Sequence, residues 1–249
     1  EWTNYQSYRS ASKLIDTGDL IYCAGDGGLF TYNNTDNRVQ KPSSINGLSD
    51  VGVEALAYGA ENDVVLVAYE NSNIDLIYGK DIYNLSDIKR KQIMGNKAIN
   101  KVMFDGPLAY LSCGFGIVVI NTEKKEVKDT WYIAEGGAHL TIYDMASDGT
   151  YLYAATAEGI YRALAGEPNL QDYSNWQRFS NLHPNGRFTQ IENLNGKIIA
   201  CYSPASGNDE LYMLDNGNWT RVFTEISKVY DMTVAFNDRI IISNNGDEI

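Results

Sequence analysis

The chain has 249 residues, with 20 basic against 32 acidic side chains and a net charge of −12. That balance, with Lys89, Arg90 and Lys91 as its one basic cluster, argues against nucleic-acid binding, which needs Lys and Arg massed against phosphate. A hydrophobic fraction of 44% supports a real core, yet no apolar run approaches the roughly 18 residues that span a bilayer.

In chain order, EWTNY at 1–5 comes first, and its Trp2 matches tryptophans met much later. Then follow LIYCA from Leu20, VVLVAY from Val64, LAYLSC from Leu108, YLYAAT from Tyr151, IIACY from Ile198 and IIIS from Ile240. Successive starts lie 42 to 47 residues apart. A period of about 40–50 residues built from short β runs predicts a propeller, one supersecondary unit per repeat.

Each repeat reads as four strands, and the second is the clearest. VEALAY (53–58) leads through a turn to VVLVAY (64–69), a polar ENSN turn (70–73), IDLIY (74–78) and a polar strand around 82–91. VVLVAY is apolar at every position, as a strand covered on both faces should be, whereas a half-exposed strand alternates. The fourth strands RVQKPS, EVKDTWYI, NWQRFS and NWTRVF are more polar and belong on the outer rim. Pairs such as Asp105 with Gly106 and Asn195 with Gly196 punctuate the chain where tight hairpins need positive φ.

Trp131, Trp176 and Trp219 recur in the fourth strands, and Trp2 repeats their local pattern ahead of the first blade. The N-terminal segment is therefore expected to be a strand that closes, or belongs to, the last blade, which would remove an exposed sheet edge. Five repeats are complete and a sixth begins with VYDMTVAF at 229–236. The expectation is an all-β, single β-propeller domain over 1–249, the N-terminal fragment of a longer protein.

Cys23, Cys113 and Cys201 fall in different repeats and read as small buried hydrophobes. Neither a zinc spacing nor an EF-hand alternation is present, so no metal and no cofactor is expected. His139 and His183 have no nucleophile close by in sequence, and no carboxylate pair is singled out by spacing, so no catalytic residue is assigned.

In a propeller the turns between second and third strands open on the same face as the connections between blades. That face is expected to carry Asn46 and Asp50, Glu70, Asn71 and Asn73, Lys97 and Asn100, Phe115 as an exposed aromatic, Glu135 and His139, Glu158, His183 and Arg187, and Asn208 and Asp209. Such a mixture suits a glycan or a peptide.

NGLSD (46–50), YENSNIDLI (69–77), INKVMF (99–104), FGIVVIN (115–121) and AATAEGIYRA (154–163), with EWTNY at the start, resemble the N-terminal β-propeller of PorZ-type proteins from Bacteroidetes. GLSD and the glycine-led third strands also resemble two-component-regulator propeller repeats. The PorZ resemblance implies a non-catalytic, exported cell-surface component of the type IX secretion system. It implies protein partners in an attachment complex and an association with anionic lipopolysaccharide. The regulator resemblance implies instead a periplasmic propeller that senses an oligosaccharide.

Overall fold

The computed structural model describes residues 11–25, 28–40, 47–224, 226–235 and 239–244. The first sheet holds β1 (Ala11–Asp16), β2 (Leu20–Gly25), β3 (Gly28–Asn33) and β4 (Val39–Gln40). The second holds β5 (Val53–Gly59), β6 (Val64–Tyr69), β7 (Ile74–Tyr78) and β8 (Asp81–Leu85). The third holds β9 (Ile99–Asp105), β10 (Leu108–Cys113), β11 (Gly116–Asn121) and β12 (Glu126–Trp131).

The fourth comprises β13 (Ile142–Ser147), β14 (Tyr151–Thr156), β15 (Gly159–Leu164) and β16 (Gln177–Arg178). The fifth comprises β17 (Phe188–Leu194), β18 (Lys197–Tyr202), β19 (Glu210–Asp215) and β20 (Asn218–Val222). β21 (Val229–Ala235) and β22 (Arg239–Asn244) pair as a two-stranded sheet. Strands follow one another across each sheet in chain order, the meander expected of a blade.

The chain divides into two compact units: Glu1–Cys113 with Val118–Asp129, and Gly114–Ile117 with Thr130–Ile249. Within the first, β1 packs on β5 and β5 on β9; within the second, β13 packs on β17 and β17 on β21. Innermost strands of successive sheets thus meet, and apolar side chains fill the space between the sheets. Tyr22, Leu29, Val65, Val67 and Tyr69 form one such layer, and Ile160, Phe188, Ile191 and Ile198 another. β6 is buried at all six positions because it has sheet neighbours on either edge and packed side chains on both faces.

Each innermost strand carries a β-bulge at its second residue: Ser12, Glu54, Asn100, Tyr143, Thr189 and Tyr230 are skipped in the register. A bulge sets two residues against one and re-aims a side chain. The glycines that open third strands have a steric reason. A Cβ on Gly116 would stand 2.5 Å from the Trp131 carbonyl oxygen, and one on Gly159 2.9 Å from that of Pro184.

One expectation is corrected. The polar strand around 82–91 stops at Leu85, and Asp87–Arg90 forms a short helix, α1. Ile88 turns inward and is buried, while the Lys97 ammonium hydrogen-bonds the carbonyls of Ile88, Lys89 and Lys91. The basic triplet is therefore a helix end, stabilised by a cation at its last carbonyls. The N-terminal strand around Trp2 lies outside the described residues.

Candidate functional site

Backbone hydrogen bonds bring the turns after the second strands onto the connections that precede their own sheets. Glu70 N donates to Gly52 O at 2.9 Å, Ala157 N to Thr141 O at 3.0 Å, and Ser203 N to Arg187 O at 2.8 Å. The same turns reach the following connection: Ser72 Oγ bonds Lys97 O at 2.9 Å, Gly159 N bonds Gly186 O at 2.7 Å, and Asp209 N bonds Ser227 O at 2.7 Å. In each unit, then, such turns lie against the connections on either side of them.

In the first unit the family-like YENSNIDLI stretch builds a polar knot. Asp75, 0% exposed on β7, accepts hydrogen bonds from the Tyr69 hydroxyl (2.6 Å), Ser49 N (2.8 Å) and Asn84 Nδ2 (3.0 Å). Burial, then the bond to Asp75, pushes the Tyr69 hydroxyl far above its ordinary pKa, so it remains a donor. Asn73 stands where β3, β11 and β15 begin with glycine. Its Nδ2 donates to Asp50 Oδ2 at 3.0 Å, and its Oδ1 accepts from Asn84 at 3.0 Å.

Asp50 also receives Lys89 Nζ at 2.6 Å. Burial pushes Asp50 up, but hydrogen bonds from Lys89, Asn71 and Asn73 and the Lys89 charge outweigh it and hold the carboxyl below its ordinary range. Buried polar groups need such partners, so this knot positions the loops. Asn73, Asp50 and Asn71 are engaged in it and Lys97 is held by the α1 carbonyls, whereas Glu70 keeps an exposed side chain. Asn100 is the surplus residue of the β9 bulge and half-buried. Asn46 lies outside the described residues.

In the second unit Phe115 departs from expectation: it is 1% exposed, packed against Tyr132 and His139 at 6.4 and 6.3 Å. Its flanking glycines suggest an exposed turn tip, but Tyr132 and His139 from the connection after β12 pack against the ring and cover it. His139 is exposed and lies flat on Tyr132, with centroids 5.1 Å apart. Glu135 and Glu158 are exposed, as is Asn208. Asp209, 3% exposed, accepts from Ser203 Oγ (2.9 Å), Lys228 Nζ (2.8 Å) and Val229 N (2.9 Å), and so clamps β19 to β21.

Arg187 is exposed, with its guanidinium 4.9 Å from the Tyr143 ring centroid, a cation–π arrangement. His183 stacks on Tyr202 at 4.0 Å and contacts Tyr212. Tyr143, Tyr202, Tyr212 and Tyr230, the last 64% exposed, are loop-surface residues absent from the sequence-based set. Tyr143 and Tyr230 could have been found by aligning the second residue of each innermost strand. Among the described residues no cluster of three or more His, Cys, Asp or Glu suits a metal ion. The cysteines are buried free thiols, with Cys201 pushed up to about 12 by burial first.

Meandering four-stranded sheets whose innermost strands pack in succession, with turns lying against the connections on either side of them, define a β-propeller. The chain belongs to the family described as "TSS9, PorZ, N-terminal beta-propeller domain", whose model matches residues 21–177. Among solved structures it is similar to PorZ, described as an essential surface component of the type IX secretion system of Porphyromonas gingivalis. That match has TM-score 0.80 and 20% identity over 93% of this chain and 30% of that one.

It is also similar to two structures of the extracellular domain of BT4673 from B. thetaiotaomicron, described as a one-component and as a hybrid two-component system. Both have TM-score 0.68 and 12% identity over 96% of this chain, covering 33% and 32% of theirs. At these identities the likeness is one of fold, and the chain spans about a third of each structure's length. No curated protein matches the chain.

Proposed function

We propose that the chain is a non-catalytic, exported module of a type IX secretion component at the cell surface, and that its loop surface engages a glycan or a secretion partner. The observation that carries this reading is the family match, which spans the second, third and fourth sheets and the loops between them. The geometry is compatible: the polar knot and the Asp209 clamp hold the loops rigid while Arg187, Glu158, His139 and Asn208 keep exposed side chains in the second unit. A preorganised surface loses less entropy on binding. A glycan partner of anionic lipopolysaccharide type would use Arg187 for its acidic groups and the exposed rings for its sugar faces.

A pull-down of the purified protein on immobilised anionic lipopolysaccharide, against neutral oligosaccharides and against detergent extracts of a type IX-secreting cell envelope, tests this. Retention by the anionic glycan, or stable capture of an envelope secretion component, supports the reading. Retention by neutral oligosaccharides alone favours a ligand-sensing propeller of a two-component regulator, the second reading, which the likeness to the BT4673 domain supports. Turnover of any glycan, abolished by one carboxylate substitution, would overturn the non-catalytic assignment.

A further inference from the structure

His183 lies in the connection of residues 179–187 between the fourth and fifth sheets, with φ +36°, a left-handed conformation disfavoured for any residue with a side chain. Its ring lies flat on Tyr202, centroids 4.0 Å apart and planes 5° from parallel. Nε2 is 2.9 Å from the Tyr212 hydroxyl oxygen, and that hydroxyl donates to Glu210 Oε2 at 2.5 Å. A tyrosine hydroxyl has a single proton to give. Since it goes to Glu210, the contact with Nε2 needs a hydrogen from the imidazole. The neutral ring is thus the Nε2–H tautomer, and Nδ1 takes the second proton. Tyr212 stays protonated, because burial and then Glu210 push it up to about 12.

The ring's seat governs a segment of backbone. Gly186 N donates to His183 O at 2.7 Å, and Gly186 O accepts from Gly159 N at 2.7 Å. A Cβ on Gly186 would stand 2.6 Å from Tyr202 Cε2, so this short loop rests on the ring that His183 stacks against. Charged groups surround it unevenly. Glu210 Oε2 is 3.9 Å from Nε2, and Glu210 Oε1 is paired with Arg221 at 3.3 Å. Arg178 holds Asn185 at 3.2 Å, Arg187 leaves the segment toward Tyr143, and Glu158 sits in the turn that Gly186 docks on. Phe188, 6.5 Å away, is apolar.

We infer that His183 is a proton-operated latch: as imidazolium it fastens the 182–187 segment to the fifth sheet, and as neutral imidazole it leaves the segment freer to open. The cation gains attraction to the Tyr202 ring face and to Glu210, and its bond to Tyr212 becomes charge-assisted. The neutral ring keeps only the ordinary hydrogen bond and the stack. The segment is therefore held more firmly when the ring carries both protons than when it carries one. The latch rests on the fold alone and does not depend on what the loop surface binds.

Hydrogen exchange of the 182–187 amides, corrected for the intrinsic pH dependence of exchange and referenced to β6, tests it. Protection should be about threefold higher near pH 5.5 than near pH 8, the scale of a partly exposed ion pair. His183→Gln, which can still donate to Tyr212 but does not titrate, should give pH-independent protection, and Glu210→Gln should reduce the difference. Equal protection at both pH values in the unmodified protein, or an unchanged pH dependence in His183→Gln, would overturn the latch. Should His183→Gln fail to fold, NMR titration of the unmodified protein decides. The Tyr202 ring signals must shift with the midpoint of the His183 ring, and independence of the two refutes the proposal.

Discussion

Tyr69 and Asp75 face each other across the 70–73 turn, hydroxyl to carboxylate at 2.6 Å, both side chains sealed from solvent. The same Asp75 oxygen also takes Ser49 N, and its other oxygen takes Asn84 Nδ2. A carboxylate offers acceptors on both sides, which an amide does not. Asp75→Asn would turn an NH2 group on Asn84 or on the Tyr69–Ser49 pair. It is expected to destabilise the protein by about 1–3 kcal/mol, the cost of buried polar groups left unmatched. Chemical denaturation of the two proteins side by side measures it.

The ion pair of Asp50 with Lys89 makes a prediction about acid. Asp50 is held below its ordinary range in the folded chain, so its contribution is fully present above the unfolded carboxylate pKa of about 3.9. It is lost as pH falls through the lower folded value. Lys89→Met removes the charge and one of the hydrogen bonds, so the variant should be less stable from neutrality down to the carboxylate range, with the difference closing below it, and its acid-unfolding midpoint should move to higher pH. Circular dichroism followed from pH 6 downward (about two units either side of the carboxylate range) reads both limbs.

Val67 is 0% exposed in the centre of β6, within the apolar layer that includes Tyr22 and Leu29. Val67→Asp places an unpaired carboxylate there, at a cost of about 3–5 kcal/mol. Loss of protection in β5–β8 by hydrogen exchange, or insoluble expression, is the expected outcome. Normal melting of the variant would show that the strand tolerates water.

Gly159 has φ +101°, and a methyl there would press on the Pro184 carbonyl oxygen. Gly159→Ala should therefore destabilise by about 1–3 kcal/mol from strain, seen as a fall in melting temperature. Gly149 has φ +85° with open space around its Cβ position, so Gly149→Ala carries the backbone penalty without the collision. The difference between the two melting temperatures isolates the steric part.

Much of the architecture was legible in the sequence because stacked blades leave a distinct mark. A strand covered on both faces must be apolar throughout, and VVLVAY is buried at every position. The recurring turns also mark where the loop surface lies. What could not be seen is which turn residues are engaged by distant partners. Asn73 meets Asp50 from 23 positions away and Asp209 meets Val229 from 20, pairings that no local pattern signals. Phe115 lies between two glycines yet points inward, since its partners Tyr132 and His139 arrive from the next connection. α1 is four residues long, too short to display a helical period, so its charges resembled a solvated strand.

The surplus residue at the second position of every innermost strand has an evolutionary consequence. Ser12, Glu54, Asn100, Tyr143, Thr189 and Tyr230 vary widely in size and polarity, whereas the ladder residue before each is apolar. Because none of them is counted in the pairing register, each can be exchanged without re-threading its neighbours. The repeat thereby separates fixed framework from adjustable vocabulary, so one scaffold can acquire new specificities a single codon at a time.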